Sequence, residues 1–341
     1  MSISTIKDPR DPAIVNRLEA TRVQNKKDFK AMAASRQELR AIRATTPKAC
    51  TKCRKTDRVC PGLTLKTCAK CNDALYCSKE CQKADWSLHK KFCEKTEGPG
   101  IIKLIDIFSA NRVLDHYLQA CFILQFDLLY RRTHFDAPFL ARVDFGVEPV
   151  QIPDFFRIFD GEALPDRPLT GMLQVNGFTP LPSKKCLSPT HREIWLKGRE
   201  RWREITGHAE SEVEEKFAVG LVVFGRADSE HGSVYAINIL DAAKNEVRCG
   251  EPWRMTSAIT GEVTEMPFNI DNCLRFMNKH VRDDHKNQLR LRTQMQPADV
   301  QVIRDAAGNV DTPAARLLRA KIAPDPAYCR WLVGPGTPIR P

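Results

Sequence analysis

The stretch 76–93, YCSKECQKADWSLHKKFC, decides how the N-terminal third of this chain folds. It carries Cys77, Cys81, His89 and Cys93 in the pattern C-x3-C-x7-H-x3-C. Cys77 and Cys81 are one helical turn apart, and so are His89 and Cys93. Each pair can therefore share a helix face and point at one atom. The two pairs cannot meet each other. Cys77 and His89 are separated by about 18 Å along a continuous helix rising 1.5 Å per residue, and one zinc with bonds of about 2.0–2.3 Å does not span that distance. The stretch reads as two half-sites, each in need of two further ligands.

Those ligands lie upstream. ACTKC supplies Cys50 and Cys53, and TCAKC supplies Cys68 and Cys71; both are C-x2-C knuckles, a spacing typical of structural zinc. Seven cysteines and one histidine make eight ligands for two zinc ions. Spacing does not decide how the pairs combine, and a sequential pairing of Cys68/Cys71 with Cys77/Cys81 is open. The rival reading is a disulfide framework. It is disfavoured because MSISTIKDPRDPAIVNRLEATRV contains no apolar core of a secretory signal. A chain kept in a reducing compartment uses dense cysteines for metal rather than disulfides. Two ions would also explain how about 45 residues fold around little apolar material.

The run C50-x2-C53-x14-C68-x2-C71-x5-C77-x3-C81-x7-H89-x3-C93 resembles a MYND-type zinc finger, and Tyr76, Gln82 and Asp85-Trp86 fall where that family has supporting residues. The resemblance covers residues 50–93 and implies an interleaved pairing. Cys50, Cys53, Cys77 and Cys81 would hold one zinc; Cys68, Cys71, His89 and Cys93 would hold the other. Cys60, inside the fourteen-residue gap, reads as a spare thiol. Closed sites of four protein ligands leave no position for substrate, so both ions are structural. The resemblance further implies binding of proline-rich peptides on other proteins, with Gln82 and Trp86 in the groove. Ala69 departs from the serine that some peptide-binding members carry. An alternative role for Trp86 is to complete the small core of the finger.

The net charge of +11 is confined to one end. Residues 1–100 hold 22 Lys and Arg against 11 Asp and Glu, whereas 101–341 hold 31 of each. Seven thiolates and two zinc ions bring the excess to about +8, because zinc takes the thiolate form. Residues 12–45 read as a basic amphipathic helix with Ile14, Leu18, Phe29, Met32, Leu39 and Ile42 along an imperfect stripe. Such an arm suits nucleic acid, an acidic surface or a partner groove, or is simply a solvated helix packed on the rest of the chain. No apolar run is long enough to span a membrane.

Beyond the breakers TTPKAC and TEGPG the chain reads as a separate unit. Residues 101–130 are apolar enough for one or two core helices, and 141–152 alternate as a strand. The Pro- and Gly-rich 153–182 reads as an irregular connection. A helix over 188–205 has Ser188 as N-cap and Pro189 at its first position, with Trp195 and Trp202 as core anchors. Residues 216–226 and 232–240 read as two strands of a hairpin, 271–295 as a long polar helix, and 312–322 as a shorter one. The expected fold class is α+β: a basic helical arm (1–46), a cross-braced two-zinc finger (47–96), and a mixed helix and antiparallel-sheet domain (101–335).

No catalytic residue is assigned. The chain lacks the N-H-x-C-x-P-N type motif and downstream cysteine cluster of SET methyltransferases, which accompany this finger in some proteins. It also lacks G-x-G-x-x-G, G-x-x-x-x-G-K-[ST], H-E-x-x-H and G-x-S-x-G. His208 reads as part of an exposed acidic turn, and Cys121 as a buried inert thiol. The leading expectation is an intracellular zinc protein whose finger binds other proteins. The alternatives are a nucleic-acid-associated regulator acting through the arm, and a divergent methyltransferase-like enzyme. Nucleus and cytoplasm are not distinguished.

Overall fold

The computed structural model describes residues 23–24, 26–46, 48–56, 60, 62–71, 73–91, 93, 95, 98–130, 138–182, 188–207, 219–229, 232–256, 263–325 and 327–328. The fold is α+β.

The arm is not one helix. Helical residues up to Met32 give way to a break at Ala33–Ser35, and α1 (Arg36–Thr45) begins afresh. The cause is a capping box: Ser35 Oγ accepts from the Glu38 backbone N–H at 3.1 Å, and Glu38 accepts from the Ser35 N–H at 2.7 Å. Ile14 and Leu18 fall outside the described residues. Phe29, Ala34 and Leu39 are buried in the main core, with Met32 and Ile42 packed against it. Polar ties run alongside. Arg43 pairs with Asp106 at 2.9 Å, Arg112 with Glu38 at 2.6 Å, and Asn111 Nδ2 donates to the Met32 carbonyl at 3.0 Å.

The finger is a short hairpin, β1 (Lys66–Thr67) and β2 (Leu75–Tyr76), followed by α2 (Lys79–His89), which Ser78 caps. Then come α3 (Ile101–Ala110) and α4 (Arg112–Phe126), separated at Asn111. The Asn111 side chain caps α4 by accepting from Val113 and Leu114.

The main sheet contains β3 (Leu140–Pro149), β4 (Thr170–Leu181), β5 (Val219–Gly225), β6 (Gly232–Asn238) and β9 (Arg292–Gln294) in the order β6-β5-β3-β4-β9. Around it lie α5 (Ile152–Phe159), α6 (Pro189–Thr206), α7 (Asp241–Cys249), α8 (Ile270–Asp283), α9 (Pro297–Ala307) and α10 (Pro313–Ile322). A separate hairpin joins β7 (Trp253–Thr256) to β8 (Val263–Met266). In β5 and β6 the residues alternate between two cores. Val222, Phe224, Tyr235 and Ile237 join the core of α3, α4 and α8; Leu221 and Val234 join Trp195 and Trp202 of α6. Burial on both faces explains why β5 is a continuous apolar run. A third core gathers α5, α9 and α10 around Phe155, Ile158, Ile303 and Leu318.

The mixed helix and antiparallel-sheet architecture holds, with one parallel pair, β3 and β5. The chain leaves β4 beside the start of β3, crosses by way of α6 and re-enters at that same end, so β5 must run with β3. Residues 153–182 are not an irregular connection: they contain α5 and the twelve-residue β4, which pairs on both sides. The supposed breakers serve packing. Pro153 sits in the first turn of α5, and a Cβ on Gly171 would stand 2.4 Å from Val147 Cγ1. The helix expected over 271–295 ends at Asp283. The Asp284 carboxylate accepts from Gln288 N and Leu289 N at 2.8 and 2.7 Å, offering the backbone an alternative to further helix. Leu289 and Leu291 then enter the main core.

Candidate metal centre

Each knuckle is a tight backbone turn. The Arg54 N–H donates to the Cys50 carbonyl at 2.9 Å and the Cys50 N–H to the Lys55 carbonyl at 2.9 Å. The second knuckle is tied by Cys68 N to the Ala74 carbonyl at 2.8 Å. Thr51 fixes the first knuckle to the hairpin, donating its N–H to the Leu75 carbonyl at 2.7 Å and accepting from Leu75 N at 3.2 Å.

Two groups of donor atoms converge. Cys50, Cys53, Cys77 and Cys81 form one, and Cys68, Cys71, His89 and Cys93 form the other; within each, all four atoms lie within 4.8 Å of one another. The separations Cys53–Cys77 and Cys77–Cys81 are 3.5 Å. Cys68–Cys93 and Cys71 Sγ–His89 Nε2 are 3.7 Å. A tetrahedron with Zn–S bonds of about 2.3 Å has edges of about 3.8 Å, so the donor sets fit two structural zinc ions in both chemistry and size. The pairing is interleaved rather than sequential. Helix α2 accomplishes this, with Cys81 in its first turn and His89 at its end, about 12 Å apart at 1.5 Å per residue. Cys60 belongs to neither group, and the described cysteines are free of disulfides.

The thiols also show what the cation supplies. Burial resists ionisation of Cys50 and Cys68, yet N–H groups of their own knuckles prevail and lower them to about 7 and about 6. Hydrogen bonding to Cys53 and Cys81 pushes Cys77 up to about 12, and burial pushes Cys93 up to about 12. The four thiols of the first group and the three of the second cannot all ionise unaided; a divalent cation reverses that balance.

Between the two groups, Tyr76 and Asp85 are buried and bonded at 2.7 Å. The next residue faces outward: Trp86 is 46% exposed, its ring 5.9 Å from that of His89. Gln82, one turn earlier on α2, is half-buried. Trp86 therefore does not complete the core of the finger.

The C-terminal unit has a cleft between the sheet and α9–α10, lined by Asp144, Glu148, Asn176, Arg226, Asp228, Asp299 and apolar side chains. Asp228 accepts from the Ala314 N–H at 3.0 Å, and the other charges are paired within the domain. Arg226 meets Asp299, Arg142 meets Asp144 at 2.7 Å, and buried Glu148 meets Lys321, Arg282 and the Tyr328 hydroxyl. No cysteine or histidine lines it. Cys121 is buried, and burial pushes its thiol well up. His208 lies outside the described residues. His280 packs between the rings of Phe29 and Phe276. Nothing in the local sequence marks Glu148, whose partners Arg282, Lys321 and Tyr328 are distant along the chain.

Residues 99–321 match the family described as Domain of unknown function (DUF8205). The chain belongs to that family. Residues 50–93 are a MYND finger, matched over that whole span. Over 30 residues the chain is 57% identical to the SET domain-containing protein 14 of Caenorhabditis elegans, a stretch that covers 9% of this chain and 7% of that one. The chain thus spans a small fraction of that relative's length. No solved structure matches. Among the described residues, no helix is long and apolar enough to cross a membrane.

Proposed function

We propose that this member of the DUF8205 family is an adaptor whose MYND finger, held by zinc on Cys50, Cys53, Cys77, Cys81 and on Cys68, Cys71, His89, Cys93, binds proline-rich segments of other proteins through Gln82 and Trp86. The observation that carries the reading is the contrast along one helix: Asp85 is 1% exposed and Trp86 is 46% exposed. An indole flank can bury a proline or leucine, and a glutamine one turn away can hydrogen-bond an extended backbone. MYND fingers generally mediate contacts between proteins, in line with this role. The working division is the arm (1–46), the finger (47–96) and the C-terminal domain (101–335).

The test is titration of the full chain with a panel of synthetic proline-rich peptides. Trp86→Ala should weaken binding at least about tenfold, the loss expected when an aromatic anchor is truncated, while bound zinc stays at two per chain. Unchanged binding would remove the peptide from this face. A second reading, nucleic-acid association, is supported by α1, which buries Leu39 and leaves Arg36 and Arg40 exposed. Steep loss of DNA or RNA binding with salt would favour it. The SET name of the worm relative adds no support for an enzyme here, given how little of that protein is matched.

A further inference from the structure

Each zinc knuckle sends one charged side chain into the C-terminal domain. Arg54 directly follows Cys53 and stands in the left-handed region at φ 61°. Its guanidinium donates to the carbonyl of Gly232, the first residue of β6. Asp73 lies two residues after Cys71, and its Oδ1 accepts from the backbone N–H of Ile102 at 3.2 Å. Ile102 is in the first turn of α3, whose own N-cap is Gly100, with no side chain to offer. The first N–H groups of a helix need an outside acceptor; here it comes from the finger. The fit requires a glycine, since a Cβ on Gly100 would stand 2.5 Å from Asp73 Oδ1. The connecting segment is fastened as well, with Thr293 Oγ1 donating to the Pro99 carbonyl at 2.8 Å.

The finger has little apolar core with which to hold these two side chains in place. Its buried cluster consists of the ligands themselves with Ala74 and Tyr76, so metal must supply much of its order. We propose that zinc clamps the finger onto the DUF8205 domain through Arg54 and Asp73, and that loss of zinc frees the first turn of α3 and the start of β6. This rests on the ligand assignment above. The domain of unknown function would thereby sense whether its finger is loaded.

Hydrogen exchange read by mass spectrometry on the full chain, with zinc content measured on the same samples, tests this. Chelation of wild-type protein should speed exchange in peptides covering 100–106 and 232–235 by at least about fivefold, the fold-change that loss of a helix cap produces, while β3 stays protected. Asp73→Ala and Gly100→Ala should each speed the first segment alone with two zincs retained; Arg54→Met should speed the second alone. The clamp is overturned if chelation opens 66–89 and leaves both segments protected, or if the three variants exchange like wild type. Zinc content well below two per chain in wild type would overturn the ligand assignment and the clamp together.

Discussion

The Tyr76 hydroxyl donates to Asp85 Oδ2 at 2.7 Å in the interior of the finger, between the two groups of metal-binding side chains. Asp85 is 1% exposed and Tyr76 2%. This bond ties the hairpin to α2 at the point where the helix passes from one group to the other. Burial and the neighbouring carboxylate both push the Tyr76 phenol above its ordinary value, which favours the protonated, donating form.

Tyr76→Phe should destabilise the finger by about 1–3 kcal/mol, the cost of removing one partner of a buried polar group. Because no ligand changes, bound zinc should stay at two per chain while resistance to chelator falls. Chelation kinetics followed with a zinc indicator would check this, and wild-type kinetics would contradict it.

Cys77→Ala and Cys93→Ala should each leave one group with three donors. Bound zinc should fall to about one per chain in each variant, and much of 47–96 should lose order. The two variants differ in which half loosens first, since Cys77 belongs to the first group and Cys93 to the second. Zinc near two per chain in either would refute its ligand role.

The buried Glu148 is the centre of the charge network in the C-terminal domain. Burial opposes its ionisation, but the Lys321 and Arg282 charges prevail and hold its carboxyl below the ordinary value. A carboxylate depressed in the folded state adds stability above its unfolded value, about 4.3, and that contribution is lost as pH falls through the lower folded value. Thermal unfolding should therefore show a drop in melting temperature below about pH 4.3 that Glu148→Gln removes. At neutral pH, Lys321→Met should cost at most about 3–5 kcal/mol, because it leaves the buried Glu148 with Arg282 at 3.5 Å as its one cation, and the double variant Glu148→Gln/Lys321→Met should recover part of it.

Gly198 on α6 lies directly against the sheet. A Cβ there would stand 2.5 Å from Ala236 Cβ on β6. Gly198→Val should push α6 outward and destabilise the domain by about 1–3 kcal/mol, measurable by urea unfolding. A neutral result would mean that α6 does not sit on β6 as described.

The zinc pattern is legible in the sequence because its constraints are local. Four ligand pairs at fixed spacings, with Tyr76, Asp85 and Trp86 around them, mark the finger through residue type and spacing. The strand at 219–225 is equally plain as a continuous apolar run, and the tryptophans of α6 as a seven-residue spacing on one helix face. What escapes depends on partners far along the chain. Gly171 and Pro153 look like breakers until Val147 and the start of α5 are placed beside them. Asp284 looks like one more polar helix residue until its carboxylate is seen to accept from Gln288 N and Leu289 N. Arg54 and Asp73 look like ordinary charges of a basic finger, yet each has its partner in the domain beyond.

Zinc K-edge absorption spectroscopy on the full chain, together with zinc stoichiometry, reads the two metal centres themselves. We expect two zincs per chain sharing seven sulfurs at about 2.3 Å and one nitrogen at about 2.0 Å, with no oxygen shell. One zinc per chain, or an oxygen ligand at either ion, would rule out two closed interleaved sites.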